Sequence, residues 1–134
     1  MAAAEKAKSS DPAVWSEVRT ALAAANRVDP DHPEPLILFY DSFRKQGVDP
    51  TENAVIGLEY AYALAPYDRG LRRLLADQLL ADGDAKEARA ILSSVAYDPH
   101  EGPAGQAAAR AIRKIDAGEM AGALKNWRGA RGKE

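Results

Sequence analysis

The chain has 134 residues, room for one domain that buries roughly two-thirds of its unfolded surface on folding. Hydrophobic residues at 46% and charged residues at 28% exclude wholesale disorder, and 18 Lys+Arg against 20 Asp+Glu exclude whole-surface nucleic-acid binding. The absence of cysteine removes disulfides, thiol catalysis and Cys-ligated zinc together, but leaves the compartment open between cytoplasm and periplasm.

No apolar run approaches the roughly 20 residues of a bilayer span. The opening Met-Ala-Ala-Ala-Glu-Lys-Ala-Lys lacks the apolar core of a signal peptide, and residues 1–10 are expected to form a weakly ordered tail. The 28 alanines and 12 leucines outweigh 13 Val, Ile and Thr together, so the chain is expected to be all helical. Asp11-Pro12 is an N-cap with proline at the first helical position, and Val14, Trp15, Val18, Leu22 and Ala25 follow at helical spacing to about Arg27. After the turn Asp29-Pro30-Asp31-His32-Pro33, a second helix is predicted over 34–46, with Leu36, Phe39, Tyr40 and Phe43 on one side and Gly47 as its stop.

Asp49-Pro50-Thr51-Glu52 opens a third helix that reaches Leu64 before Ala65-Pro66. Asp68 caps a fourth, carrying Leu71, Leu74, Leu75 and Leu79, and Asp84 caps a fifth that ends near Ala96. Gly102-Pro103 begins a sixth with Ile112 and Ile115 on its buried side, ending at Gly118. A weaker seventh is predicted over 119–127, followed by a basic tail over 128–134; Trp127 covers the apolar end of the stack. Connections of about two to six residues pack neighbouring helices antiparallel.

Self-similarity runs through these segments. Val18-x3-Leu22-x2-Ala25-x4-Pro30 recurs as Ala54-x3-Leu58-x2-Ala61-x4-Pro66, and again as Ala88-x3-Leu92-x2-Val95-x3-Pro99. The partner helices read Leu36-x2-Phe39-Tyr40-x2-Phe43, then Arg72-x2-Leu75-Ala76-x2-Leu79, then Gly105-x2-Ala108-Ala109-x2-Ile112. A small residue such as Ala54, Ala76 or Ala88 lets helix backbones approach closely, and a closing proline stops the second helix. This pattern, over about residues 12–117, resembles the tetratricopeptide repeat. The resemblance implies an all-α, right-handed stack of antiparallel helical hairpins with six or seven helices, forming one repeat domain over 11–127. Tyr40 departs from the small residue expected in its slot, and Pro50-Thr51 lengthens an internal turn.

The first visible helix matches the second helix of a repeat, and its own partner is missing. Trp15 or its neighbours should therefore be partly exposed, or covered by the N-terminal tail or a second molecule. Pro33-Glu-Pro-Leu-Ile-Leu-Phe-Tyr40 and Val95-Ala-Tyr-Asp-Pro-His100 are also similar to C-terminal repeat regions of bacterial proteins with an upstream peptidase-like domain. That implies a rival function: regulation or docking within a larger bacterial enzyme.

Catalytic constellations are missing from the sequence. His32 and His100 lie in Asp-Pro turns without an H-x3-H or H-E-x2-H partner, and Ser93-Ser94 has no histidine nearby. No glycine-rich phosphate loop occurs, and Asp82-Gly83-Asp84 is followed by alanines where a calcium loop needs oxygen ligands. No enzyme activity, cofactor or metal is expected. Tyr60 and Tyr62, two apart on one helix, cannot both face inward.

The resemblance implies that first helices of hairpins line a concave, ligand-facing side. The corresponding slots hold Ile37, Asp41, Arg44 and Lys45, then Arg73 and Asp77, then Gln106, Arg110, Arg113 and Lys114. Six of these ten are basic, and residues 101–134 hold seven Lys+Arg against four Asp+Glu. Asp41 and Asp77 are expected to pair with Arg44 and Arg73. The clamp by which some relatives of that family grip a terminal carboxylate is not reproduced, because Ile37, Asp41 and Leu74 occupy its slots. The expected function is non-catalytic binding of a protein or peptide, in particular an acidic one, without nucleic-acid binding or membrane insertion.

Overall fold

The computed structural model describes residues 11–131, and these form an all-α protein of seven helices with no strand among the described residues. They are α1 (Pro12–Val28), α2 (Pro33–Gln46), α3 (Glu52–Leu64), α4 (Arg69–Ala81), α5 (Ala85–Ala96), α6 (Pro103–Asp116) and α7 (Met120–Arg131). The expected tail over 1–10 lies outside the described residues. Helix starts follow local chemistry: Asp11, Thr51 and Asp68 each accept a backbone N–H of the first turn, from Ala13, Ala54 and Leu71. Gly47 ends α2 in the left-handed region (φ 84°), where a residue with a Cβ is strained.

The chain divides into two compact units, the first up to Pro66 and the second from Tyr67. Successive helices pack on one another within each, as a stack of antiparallel hairpins does. In the first unit, α2 packs between α1 and α3. Its core is aromatic at one end, with Trp15, Tyr40 and Phe43, and small at the other, with Ala54, Leu58 and Ala61. Gly57 lets α3 approach α2 closely, since a Cβ there would meet Leu36 Cδ2 at 3.3 Å.

In the second unit α4, α5, α6 and α7 pack in chain order, and α7 also returns onto α4. Leu71, Leu75, Leu79, Leu80, Leu92 and Val95 meet a wall of small residues: Ala76, Ala88, Ala104, Ala107, Ala108 and Ala111. The expected inward alanines Ala54, Ala76 and Ala88 are all buried. On α6 the buried side is alanine rather than Ile112 and Ile115, which are half-buried, because Gly105 and the alanines bring α6 close to α5. A Cβ on Gly105 would lie 3.4 Å from the Val95 carbonyl oxygen.

Helix α7 continues past the expected boundary at residue 127 to Arg131, so the basic tail begins as helix. Two side chains anchor it. Trp127 is fully buried, and Arg128 donates two hydrogen bonds to the Asp77 carboxylate of α4, at 3.0 and 2.8 Å. Of Trp15 and its neighbours, expected to be partly exposed or covered, it is the neighbours that keep exposed surface. Trp15 is only 3% exposed, while Val14, Val18 and Leu22 of the same helix are half-buried. Arg19 helps to cover this end: its guanidinium stacks 3.7 Å from the Phe43 ring centroid and donates to Ser42 Oγ and Gln46 Oε1.

Candidate functional site: a basic concavity between α6 and α7

Of the ten residues expected to face a ligand, four belong to the first unit. Ile37 is half-buried. Asp41 pairs with Lys45 one turn on (3.2 Å). Arg44 lies over the Tyr40 ring, 5.6 Å from its centroid, and its Nε donates to the Tyr40 hydroxyl at 3.2 Å. The size of Tyr40, a departure from the repeat pattern, is thus used twice: its ring fills the core and its hydroxyl holds the arginine.

The other six lie in the second unit and fall into two groups. Arg73 and Asp77 are tied into the fold by side chains distant in sequence. Arg73 Nη2 lies 2.8 Å from Glu101 Oε1, and Glu101 has no exposed side-chain surface. Arg72 reaches the same carboxylate (3.5 Å) and also Asp98 (2.6 Å). This cluster fixes the α5–α6 loop to α4. It satisfies a buried carboxylate that would otherwise be costly to remove from water. The His100 backbone N–H, first, and the Arg72 side chain, second, hold Asp98 below the usual carboxylate range.

Arg110, Arg113 and Lys114 do share a surface. They sit three and four apart on α6, which places them on one face of the helix. With Glu119 and Asn126 from the α7 side they line an open concavity of about 330 Å³. Lys114 Nζ lies 3.2 Å from Glu119. Arg110 and Arg113 are exposed and have no carboxylate partner among the described residues. The lining therefore carries three cations against one anion. Gln106, a turn earlier on α6, is exposed but does not line this concavity.

Glu119 and Asn126 were not foreseen from the sequence. The signal available was weak: Gly122 lowers the intrinsic helicity of their segment, and only tertiary anchoring by Trp127 and Arg128 secures the helix. His32 lies 3.8 Å from Glu34 in an exposed turn, and the described residues hold no group of three or more His, Cys, Asp and Glu set for a metal ion. No helix among them is long and apolar enough to cross a membrane. No family model, curated protein or solved structure matches this chain.

Proposed function

We propose that the chain is a non-catalytic binding module of tetratricopeptide-like hairpins that captures an acidic peptide segment in the α6–α7 concavity. The observation that carries the reading is the convergence of Arg110, Arg113 and Lys114 on one concave surface, with Glu119 as the sole carboxylate among the described residues of its lining. Guanidinium groups hold carboxylates in a planar, two-bond geometry, which suits Arg110 and Arg113 to glutamate and aspartate side chains. The in-phase triplets and the buried alanines at the helix crossings support the family reading.

Magnitude decides the form of the test. An exposed ion pair contributes only about 0.2–1 kcal/mol, so single substitutions change affinity a few-fold at most and a double reversal is needed. With a fluorescent glutamate-rich peptide as probe, binding should weaken as salt rises. Arg110→Glu with Arg113→Glu should abolish it while leaving helicity intact. Retained binding in that double variant would overturn the proposal. Arg73→Glu makes a poor binding test, because it would set a new carboxylate against buried Glu101 and lower the melting temperature instead.

A further inference from the structure

Helix α3 is apolar on two opposite faces. Ala54, Leu58 and Ala61 point into the core shared with α2. On the far side Ile56, Tyr60 and Leu64 follow one another at four-residue intervals, with Ala63 between them, and they remain 55%, 46% and 36% exposed. A helix that only closes a core has a polar outer face; this one presents a second hydrophobic stripe about two turns long.

Within the first unit, the charges bordering that stripe have one sign. Glu52 and Glu59 flank it and are exposed, and α3 contains no lysine or arginine. The Tyr60 hydroxyl donates to Asp31 (2.9 Å), which brings a third carboxylate to the ridge. Residues 11–66 hold nine Asp+Glu against four Lys+Arg, and three of those cations are engaged elsewhere, Lys45 by Asp41, Arg44 by Tyr40, and Arg19 by Ser42, Gln46 and Phe43.

From this apolar stripe bordered by carboxylates, we infer that the outer face of α3 is a docking ridge for an amphipathic helix with lysine or arginine beside its apolar stripe. The four-residue spacing matches the side-chain rows of a partner helix, and the acidic border selects its charge. A second copy of this chain is a poor occupant, because it would set Glu52 and Glu59 against their own like. The ridge belongs to the first unit and the basic concavity to the second, and their opposite signs call for different partners.

The test uses the full chain and a synthetic amphipathic helix of about 18 residues, five turns long, with a leucine stripe flanked by lysines. Two control peptides replace either the leucines by serine or the lysines by glutamate. The leucine–lysine peptide should bind. Ile56→Ser with Leu64→Ser, both at exposed positions, should weaken it at least about tenfold, because the stripe carries the affinity. In an Arg110→Glu, Arg113→Glu background, which removes the acidic-peptide site proposed above, Glu52→Lys with Glu59→Lys should transfer preference to the leucine–glutamate peptide. Equal binding of the serine control, or no effect of the Ile56/Leu64 pair, would overturn the inference. A concentration-dependent dimer that Ile56→Ser abolishes would also overturn it, by assigning the ridge to self-association.

Discussion

The two units hold their outermost helices by different means. In the first, α1 buries a single residue, Trp15, and a half-buried arginine does the rest: Arg19 stacks on Phe43 and donates to Ser42 and Gln46 of α2. In the second, α7 is tied across the chain by fully buried Trp127 and by the Arg128–Asp77 pair, 51 residues apart. A loop in the same unit is tied down by Glu101 between Arg72 and Arg73. Long-range ties of this kind hold a helix that is weak by composition. Beside it Arg110 and Arg113 of α6 face solvent.

Removing the tie with the largest buried volume should have the largest effect. Trp127→Ala should destabilise the protein by about 3–5 kcal/mol, since truncating a buried aromatic costs transfer energy and leaves a cavity. Trp15→Ala should cost clearly less, because the rest of α1 is half-buried or exposed. Urea unfolding followed by circular dichroism checks both, and equal losses would remove the contrast between the units. Next in size is Glu101→Gln. It leaves Arg72 and Arg73 facing a neutral amide and should cost about 2–3 kcal/mol, below the value for a fully buried pair because both arginines keep some solvent. In this variant Trp127 fluorescence, recorded in a Trp15→Phe background, should lose its folded signal at lower urea.

Ala88→Leu comes third. Ala88 is fully buried on α5, and overpacking there should cost about 1–3 kcal/mol; an unchanged melting temperature would contradict the close helix approach. The smallest effect is electrostatic. Backbone and Arg72 hydrogen bonds depress Asp98, and Arg89 hydrogen-bonds and depresses Asp116. A depressed carboxylate stabilises the fold above its unfolded value, so this stability is present at neutral pH. It is lost as pH falls below about 4, through the folded values. Asp98→Asn should flatten that acid limb of the melting profile, and an identical limb would show that Asp98 contributes nothing to it.

How much of this was legible depends on how local each cause is. Asp11-Pro12 and Asp68 were readable as caps because the bond each makes lies two or three residues away. Ala54, Ala76 and Ala88 were readable as crossings because helical period carries the information. The first of the three matching triplets is buried least, as expected of a helix that lacks its hairpin partner. Val18 and Leu22 are half-buried and Ala25 exposed, whereas their counterparts Ala54, Leu58 and Ala61 are fully buried. The same spacing on an end helix has no second layer to bury it.

The site was legible only in part for the same reason. Arg110, Arg113 and Lys114 share a face by spacing alone, whereas the partners of Arg73 and Asp77 are 28 and 51 residues away, at separations no periodicity encodes. Charges read as ligand-facing from their helix positions proved to be structural wherever a distant carboxylate or guanidinium reached them.

The most direct measurement is amide chemical-shift mapping of the isotope-labelled full chain, titrated with the glutamate-rich peptide at low salt. A basic concavity in the second unit predicts shifts concentrated at Arg110, Arg113, Lys114 and Asn126, fading as salt is added, with Arg44 and Lys45 of the first unit unmoved. Shifts centred on Arg44 and Lys45, or spread evenly over every exposed cation, would contradict it.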